Sequence, residues 1–560
     1  MVKEIKNLIL KYSLKNAVSY NGKANASAVL GKILSEKPEL RAKIKEITKD
    51  INQIVERINA MSLLEQEAKL LEIAPEMLTK EKTEVKKQLP ELPNVKDKSK
   101  VVMRFEPSPS GALHIGHAIT FLLNAEYCRK YKGKLFLRIA DTNALEIYEP
   151  AYNLIIKEAR WLTNYPFLIK YQSDNIKRHY FYAEKLIKMG KAYVCTCSSP
   201  VFKKLVDKGK PCPHRNLDVK EQLKEWKRMH DKYKQGQAVL RIKTDLKAKN
   251  PALRDFPAFR IVDSKHPRQE KKYRVWPLMN FSVAIDDYLQ GISHVIRGKD
   301  HVVNTERQLF IFDYFRWRKP HYIHLGRINF SNIKLSSTQT REAIKEGKYS
   351  GWDDIRLPFI SALKKRGIQN EAFAKYAIEV GPSKVDKTLS IEEFMQKIYD
   401  YNKKIIDGMA KRYFFIRTPV KIKIKNAPKL NARVPLHPEK AHGFRKLETS
   451  NVFYLAKEDV AQIKKGKVYR LMHLFNFIKE KGKFKLHSKD LKPELKAKLI
   501  HWLPADSKQI RKISVKMPDG KTLKGYSEQA INKVKIGEVI QFERFGFCCK
   551  QKDAFWFAHK

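Results

Sequence analysis

Within fourteen residues, Arg104-Phe-Glu-Pro-Ser-Pro-Ser-Gly-Ala-Leu-His-Ile-Gly-His117 combines an arginine, two glycines and two histidines three apart. Histidines at the opening of a helix can donate hydrogen bonds to phosphate oxygens, assisted by the backbone N–H groups and dipole of the helix N-terminus. Gly111 and Gly116 remove side chains where a backbone must pass close to a nucleotide. The run fits neither GxGxxG nor GxxxxGK[ST], which excludes the usual dinucleotide and P-loop arrangements. A second group, Cys195-Thr-Cys197 with Cys212-Pro-His214, offers three thiols and an imidazole. That is a donor set for tetrahedral zinc in a structural role, since four protein ligands leave no open position. Its Cys-x-Cys spacing departs from the commoner Cys-x-x-Cys.

The histidine run needs a frame. Val101-Val-Met-Arg-Phe reads as a short strand and Pro107-Ser-Pro-Ser-Gly as a turn. Leu113 to Tyr131 reads as a helix with Ile115, Ile119, Leu122, Leu123 and Tyr127 inward, ended by Gly133. Leu135-Phe-Leu-Arg-Ile is the next strand, so the unit is βαβ, which predicts a parallel sheet with its ligand at the carboxyl ends of the strands. The pattern resumes at Gly291-Ile-Ser-His-Val-Ile-Arg, after an insertion holding three of the six cysteines. Upstream, residues 1–77 read as helical. Ile44, Ile47, Ile51, Ile54 and Ile58 fall on one stripe, and Asn25 is placed to cap the helix carrying Val29, Leu30, Ile33 and Leu34. The polar residues 78–100 read as a linker. Beyond about residue 411, runs such as Val420-Lys-Ile-Lys-Ile and Val452-Phe-Tyr-Leu alternate with Gly, Pro and Asp turns, the spacing of an all-β region built as barrels.

Charge points to a polyanion. The chain has 113 Lys and Arg against 60 Asp and Glu, a formal net charge of +53. Each phosphate neutralised by such a surface releases counterions. Residues 421–560 alone hold 33 basic and 13 acidic residues, as an RNA-binding β-region would. No run reaches the apolar length of a membrane span, and the start, MVKEIKNLILKYSL, reads as a helix without a leader core. Six cysteines do not make a disulfide framework, so the expected compartment is reducing and cytoplasmic.

The Arg104–His117 run resembles the HIGH signature of class I aminoacyl-tRNA synthetases, in the form found in the glutamyl and glutaminyl branch. Gly291-Ile-Ser-His-Val-Ile-Arg-Gly-Lys-Asp-His301, Asn304-Thr-Glu-Arg-Gln, Tyr349-Ser-Gly-Trp-Asp-Asp-Ile-Arg-Leu-Pro358 and Arg366-Gly-Ile-Gln resemble the rest of the archaeal glutamyl catalytic domain. Ile500-His-Trp-Leu-Pro504, Gln541-Phe-Glu-Arg-Phe-Gly-Phe547 and the N-terminal Gly22-Lys-Ala-Asn are similar to the same group, so the likeness covers nearly the whole chain. It implies an N-terminal helical domain (1–77), a linker (78–100) and a Rossmann-like catalytic domain split into 101–194 and 276–350. It further implies an acceptor-stem-binding insertion with zinc (195–275), a helical connector (351–410) and anticodon-binding β-barrels (411–560). The implied reaction uses ATP with Mg²⁺ to join L-glutamate to tRNA(Glu) through a glutamyl-adenylate, with tRNA(Gln) open as a second acceptor. His114, His117 and Lys334 match catalytic positions. Pro107, Ser108, Gly111, Gly116 and Ser336 join them around ATP. Arg104 and Arg297 match amino-acid-binding arginines, and Asp141 an acid that holds the α-amino group. Cys195, Cys197, Cys212 and His214 match the zinc region of some members.

Three positions depart from the family pattern. Lys334-Leu-Ser-Ser-Thr338 stands where KMSKS is usual, with Ser337 in place of its second lysine. Met279 stands where a pocket tyrosine is common, and Ala140 replaces a usual acid. Ser337 and Met279 keep an inactive tRNA-binding scaffold among the alternatives, and a glutaminyl-tRNA synthetase is the other. The Pro-Ser-Pro-Ser-Gly turn and the Ser-Gly-Trp-Asp-Asp segment sit with the glutamyl side. A HIGH-bearing nucleotidyltransferase without tRNA would not need the basic β-region.

Overall fold

A computed structural model describes residues 2–20, 22–77, 88–95, 97–490 and 492–560. The chain divides into two compact units, residues 1–86 and 87–560.

The first unit is helical: Val2–Ser19, Ala26–Glu36, Ile44–Asn59 and Leu63–Ile73. Ile47, Ile51 and Ile58 of the isoleucine stripe are buried, joined by Val55, whereas Ile44, at the first turn, is exposed. The Asn25 side chain caps the second helix by accepting from Ala28 N (3.1 Å). Ser62 and Glu65 close a reciprocal capping box on the fourth. Of the segment read as a linker, residues 78–87 and 96 lie outside the described residues. Part of the rest is packed. Leu89 and Leu92 are buried in the same core as Tyr131, and Leu92 N–H donates to the Tyr131 hydroxyl (2.7 Å).

The second unit is built on parallel strands. Val102–Phe105, Lys134–Ile139 and Leu168–Tyr171 pair in sequence order, with helix Ile115–Tyr131 crossing between the first two. A second parallel pair, His294–Gly298 with His321–Leu325, lies beside the first strand, where Ser293 N–H donates to Val102 O (2.9 Å). Helix Ile115–Tyr131 ends two residues before Gly133. Lys132 takes the left-handed conformation (φ 53°), and Gly133 is required instead because a Cβ there would lie 2.3 Å from Val101 O. Between the two halves sits a four-stranded antiparallel sheet in sequence order: Ala192–Cys195, Val239–Ile242, Pro257–Ile261 and Val275–Pro277. Helices Ile360–Lys365, Asn370–Val380 and Ile391–Ile406 follow.

From residue 412 onward the chain is β-rich, with two seven-stranded sheets. It enters one sheet with Arg412–Tyr413 and Ile416–Arg417, and leaves it to build the other between residues 419 and 504. It then returns to complete the first with strands from Ile510–Lys516 to Phe555–His559. Among the described residues no helix is long and apolar enough to cross a membrane.

Candidate active site

At the carboxyl end of the first parallel strands lies a cleft of about 280 Å³. Arg104, Glu106, Pro107, Ser108, His117, Ala140, Met279, Arg297, Asp300 and His301 line it. The strand Val102–Phe105 delivers Arg104 and, one residue past its end, Glu106; helix Ile115–Tyr131 delivers His117, and the strand His294–Gly298 delivers Arg297.

The two histidines form one device. His114 is the N-cap of its helix, its Nδ1 accepting from Gly116 N (3.1 Å), and its ring stacks on His117 at 3.7 Å between centroids. His117 Nδ1 lies 3.5 Å from His114 N, also as acceptor. With both Nδ1 atoms accepting, the neutral rings carry their protons on Nε2 and present N–H donors at a helix N-terminus. Burial enforces that neutrality: it pushes His117 down to about 4, and His114 well below its ordinary value, with His117 adding to the effect.

Other elements hold the loop that carries them. Ile115 N–H donates to Pro358 O (3.3 Å), and Ile360 N–H to Leu113 O (3.0 Å). Glu158 lies beneath and accepts from Leu113 N (2.7 Å), Ser361 N (3.1 Å) and Ser361 Oγ. A Cβ on Gly111 would stand 2.4 Å from the Trp352 ring and 2.9 Å from Ser337 Cβ, so only glycine passes between them. Ser337 is buried and its hydroxyl donates to Ala112 O (3.2 Å). A lysine there could not keep that packing. Ser336 caps the helix Ser337–Lys345 by accepting from Gln339 N, while Lys334 is exposed on the loop before it.

The floor of the cleft is a lattice of charge. Arg104 holds Asp287 through Nε and Nη2, both at 3.1 Å. Arg138 grips Glu106 with two bonds (2.9 and 3.0 Å) and also donates to Asp287. Burial opposes the charge on Asp287, yet Arg104 and Arg138 outweigh it and hold the carboxyl below its usual value. Arg297 differs. Its partners are Thr305 Oγ1 and Gln308 Oε1 (2.9 Å), and its buried Nε has no hydrogen-bond partner. Burial, reinforced by the charge of Arg104, pushes it down to about 10. A guanidinium so deprived calls for an anion.

Asp141, expected to hold the substrate's α-amino group, has no exposure. Its carboxylate accepts from Ser173 N (2.8 Å), Ser173 Oγ (2.7 Å) and the Tyr152 hydroxyl (2.9 Å). Burial raises its pKa, against those bonds. The cause is a tight turn: Ala140 N–H donates to Pro107 O (2.9 Å) and Asp141 N–H to Ile139 O (3.1 Å). Ala140 faces the cleft and Asp141 the interior. Met279 lines the cleft and is 39% exposed.

The metal candidates come together. Cys195 ends the strand Ala192–Cys195, and Cys212 and His214 flank the start of the short turn Pro213–Asn216. Their donor atoms and that of Cys197 all lie within 4.8 Å of one another, with Cys195 Sγ to Cys212 Sγ at 3.8 Å and Cys197 Sγ to His214 Nδ1 at 3.5 Å. Zn–S bonds of about 2.3 Å in a tetrahedron require sulfurs roughly 3.8 Å apart, so the set fits zinc.

Three features went unremarked in the sequence. Glu106 was present in the histidine run, but a charged residue in a turn carries no signal of direction. Asp287 sits in an apolar helix, Met279–Leu289, where a carboxylate is itself the anomaly that could have flagged it. The third is a small cavity of about 190 Å³ in the C-terminal region, where His501 meets Glu543, Arg544 and Phe545. The stretches 500–504 and 541–547, far apart in sequence, thus converge, and the buried His501 Nε2 has no hydrogen-bond partner.

Residues 100–405 match the catalytic domain of the tRNA synthetases class I (E and Q). Residues 410–499 and 499–551 match the anti-codon binding domains of the same group. The chain belongs to this class I synthetase family. A Glutamate--tRNA ligase of Pyrococcus furiosus is 46% identical over 564 residues, and one of Pyrococcus abyssi 47% over 562, each covering 97% of both chains. That of Methanocaldococcus jannaschii is 45% identical over 546 residues, 96% of both. Within the family, the chain's place is among the glutamate–tRNA ligases.

Proposed function

We propose that this glutamate–tRNA ligase activates L-glutamate with ATP and Mg²⁺ in the Arg104–Arg297 cleft, releases diphosphate, and passes the glutamyl group from the adenylate to the 3′ end of tRNA(Glu). The α-carboxylate of glutamate attacks the α-phosphate, and the terminal ribose hydroxyl then takes the acyl group, so no protein nucleophile is needed. His114 and His117 donate from Nε2 to phosphate oxygens, and Pro107, Ser108, Gly111 and Gly116 let the nucleotide approach the backbone. Lys334 and Ser336 close over the phosphates from the loop before Ser337–Lys345. Arg104 and Arg297 take the side-chain carboxylate. The observation that carries this reading is the stacked, neutral histidine pair at a helix N-terminus beside a buried arginine without an acidic partner.

Cys195, Cys197, Cys212 and His214 would hold a structural zinc that ties the strand end to the turn of the insertion. The two C-terminal sheets close as barrels and bind the anticodon. The cavity at His501, with its unsatisfied ring nitrogen and Arg544, has the size and polar edge to receive an unpaired base.

The test is aminoacylation of total archaeal tRNA with labelled glutamate and, separately, labelled glutamine. Charging with glutamate alone is the expected result. Purified tRNA(Glu) and tRNA(Gln) then decide whether the acceptor range is narrow or double. Charging with glutamine only would move the cleft to the other amino acid, and no charging by folded, tRNA-binding protein would leave a scaffold.

A further inference from the structure

We infer that Glu106 is the group that receives the α-ammonium of bound glutamate, a role for which Asp141 is turned into the interior and Ala140 offers only a methyl group. The inference rests on the cleft being the glutamate site.

Glutamate brings two carboxylates and one ammonium. The two carboxylates have donors waiting for them, in the histidine pair with its phosphate and in Arg297, but an ammonium in a buried cleft needs an acceptor of opposite charge. Asp141 is sealed away on Ser173 and Tyr152. Asp287 is fully buried, with both oxygens engaged by Arg104 and a further bond from Arg138. Asp300 lines the mouth, where its half-exposed side chain lies 3.5 Å from His301 and stays in water. Glu106 alone among these lines the cleft with its side chain 8% exposed.

Its carboxylate is prepared for the role. Arg138 approaches both oxygens, at 2.9 and 3.0 Å, and Arg104 Nε lies 3.4 Å from Oε2. These contacts hold the group in one orientation. A carboxylate accepts about four hydrogen bonds, so capacity remains for an ammonium. Position agrees as well. Arg104 and Glu106 are two residues apart along an extended segment and both reach the cleft, which sets them on one face roughly 7 Å apart along the strand. Glu106 is the nearer of the two, in sequence, to the histidine loop. An amino acid laid with its side-chain carboxylate toward the arginines and its α-carboxylate toward the histidines therefore brings its ammonium past Glu106.

Ala140 explains why residue 106 can serve. Its N–H is bonded to Pro107 O, and Phe105 pairs with Leu137, so position 140 lies on the neighbouring parallel strand two residues beyond the one opposite Glu106; both positions line the cleft. A glutamate side chain from either of these diagonal positions would enter the same cleft. This chain places it at 106 and leaves a methyl group at 140.

The experiment compares glutamate with glutarate, which keeps both carboxylates and lacks the ammonium. Aminoacylation, run with tRNA present, gives the KM for glutamate and the inhibition constant for glutarate. Glu106→Gln should raise the glutamate KM at least tenfold, the scale of one lost charge-assisted hydrogen bond, and leave glutarate within about twofold. The double variant Glu106→Ala with Ala140→Glu should recover most of the lost glutamate affinity, whereas Glu106→Ala alone should not. Equal weakening of glutamate and glutarate in Glu106→Gln would overturn the assignment, because a residue that only holds Arg138 in place would affect both ligands alike. Arg297→Ala separates the two levels of inference. It should weaken both ligands; if it weakens neither, the cleft is not the glutamate site and the assignment of Glu106 falls with it.

Discussion

Glu158 makes the histidine loop sensitive to pH in a way the histidines themselves do not. It is sealed beneath the loop, and burial pushes it up from 4.5 to about 7, against the bonds from Ser361 and Leu113. The folded value lies above the unfolded one, so the stability it lends is complete below about pH 4.5 and is lost as the pH rises through about 7. The full difference is roughly 3 kcal/mol. Glu158→Gln does not titrate, so the thermal midpoint of the native protein should fall relative to that of the variant between pH 5 and 8. Parallel curves in a thermal-shift series would remove Glu158 as the titrating group. His117, pushed down to about 4, stays neutral throughout that range. Its contribution to kcat/KM for ATP should therefore be flat from pH 6 upward. Replacing His117 by Ala should cost about a hundredfold at any of these pH values, the scale of one lost donor to a developing charge. An inflection near pH 6.5 that disappears in the variant would mean that the ring titrates after all.

At the scale of elements, what was legible in the sequence followed burial. The strands around Met103 and Leu137 are covered on both faces and read as continuous apolar runs. The Asn25 cap and the isoleucine stripe were visible because a helix repeats, and Ile44 is exposed because the repeat says nothing about where the partner helices begin. The chain between residues 88 and 95 looked like a linker by composition. Two leucines and one hydroxyl bond were enough to bury part of it, and composition averages such single contacts away. The site shows the same limit more sharply. The residue types at 104–117 pointed to the chemistry, but the turn at Ala140 and Asp141 decides which carboxylate faces the cleft, and a turn has no period to read. The cysteines of the insertion were legible as a set, because Cys195, Cys197, Cys212 and His214 are its only dense cluster of soft donors. If they hold zinc, the purified protein should contain the metal stoichiometrically by elemental analysis. Cys197→Ser should lose it and lower the unfolding temperature while glutamate KM, set in a separate cleft, moves little. Equal zinc content in the native protein and the variant would exclude this set as the ligands.

The net charge of +53 is a property of the whole molecule, and the fold shows how part of it is arranged. In the strand Pro419–Lys425, Ile422 and Ile424 are buried while Lys421, Lys423 and Lys425 are exposed, because alternate residues of a strand face opposite ways. The three lysines thus form one row on the outer face, and Lys483 and Lys485 repeat the device in the paired strand Lys483–Ser488. Such a row is either a solvated face or a track for phosphates, and salt distinguishes the two. Binding to polyanions weakens linearly in log–log form, by roughly 0.7 to 0.9 per phosphate contact, whereas an ion pair buried in a cleft is little screened. The KM for tRNA should therefore rise at least tenfold between 50 and 200 mM salt, while the KM for glutamate changes far less. Replacing Lys421, Lys423 and Lys425 together by Gln should flatten the tRNA slope by up to about 2 to 3 and leave glutamate affinity untouched. An unchanged slope would assign this row to solvent and place the phosphate contacts on other basic faces. The row is the sharper test because its residues face away from the core, so their loss should cost the fold little and be read almost entirely in binding.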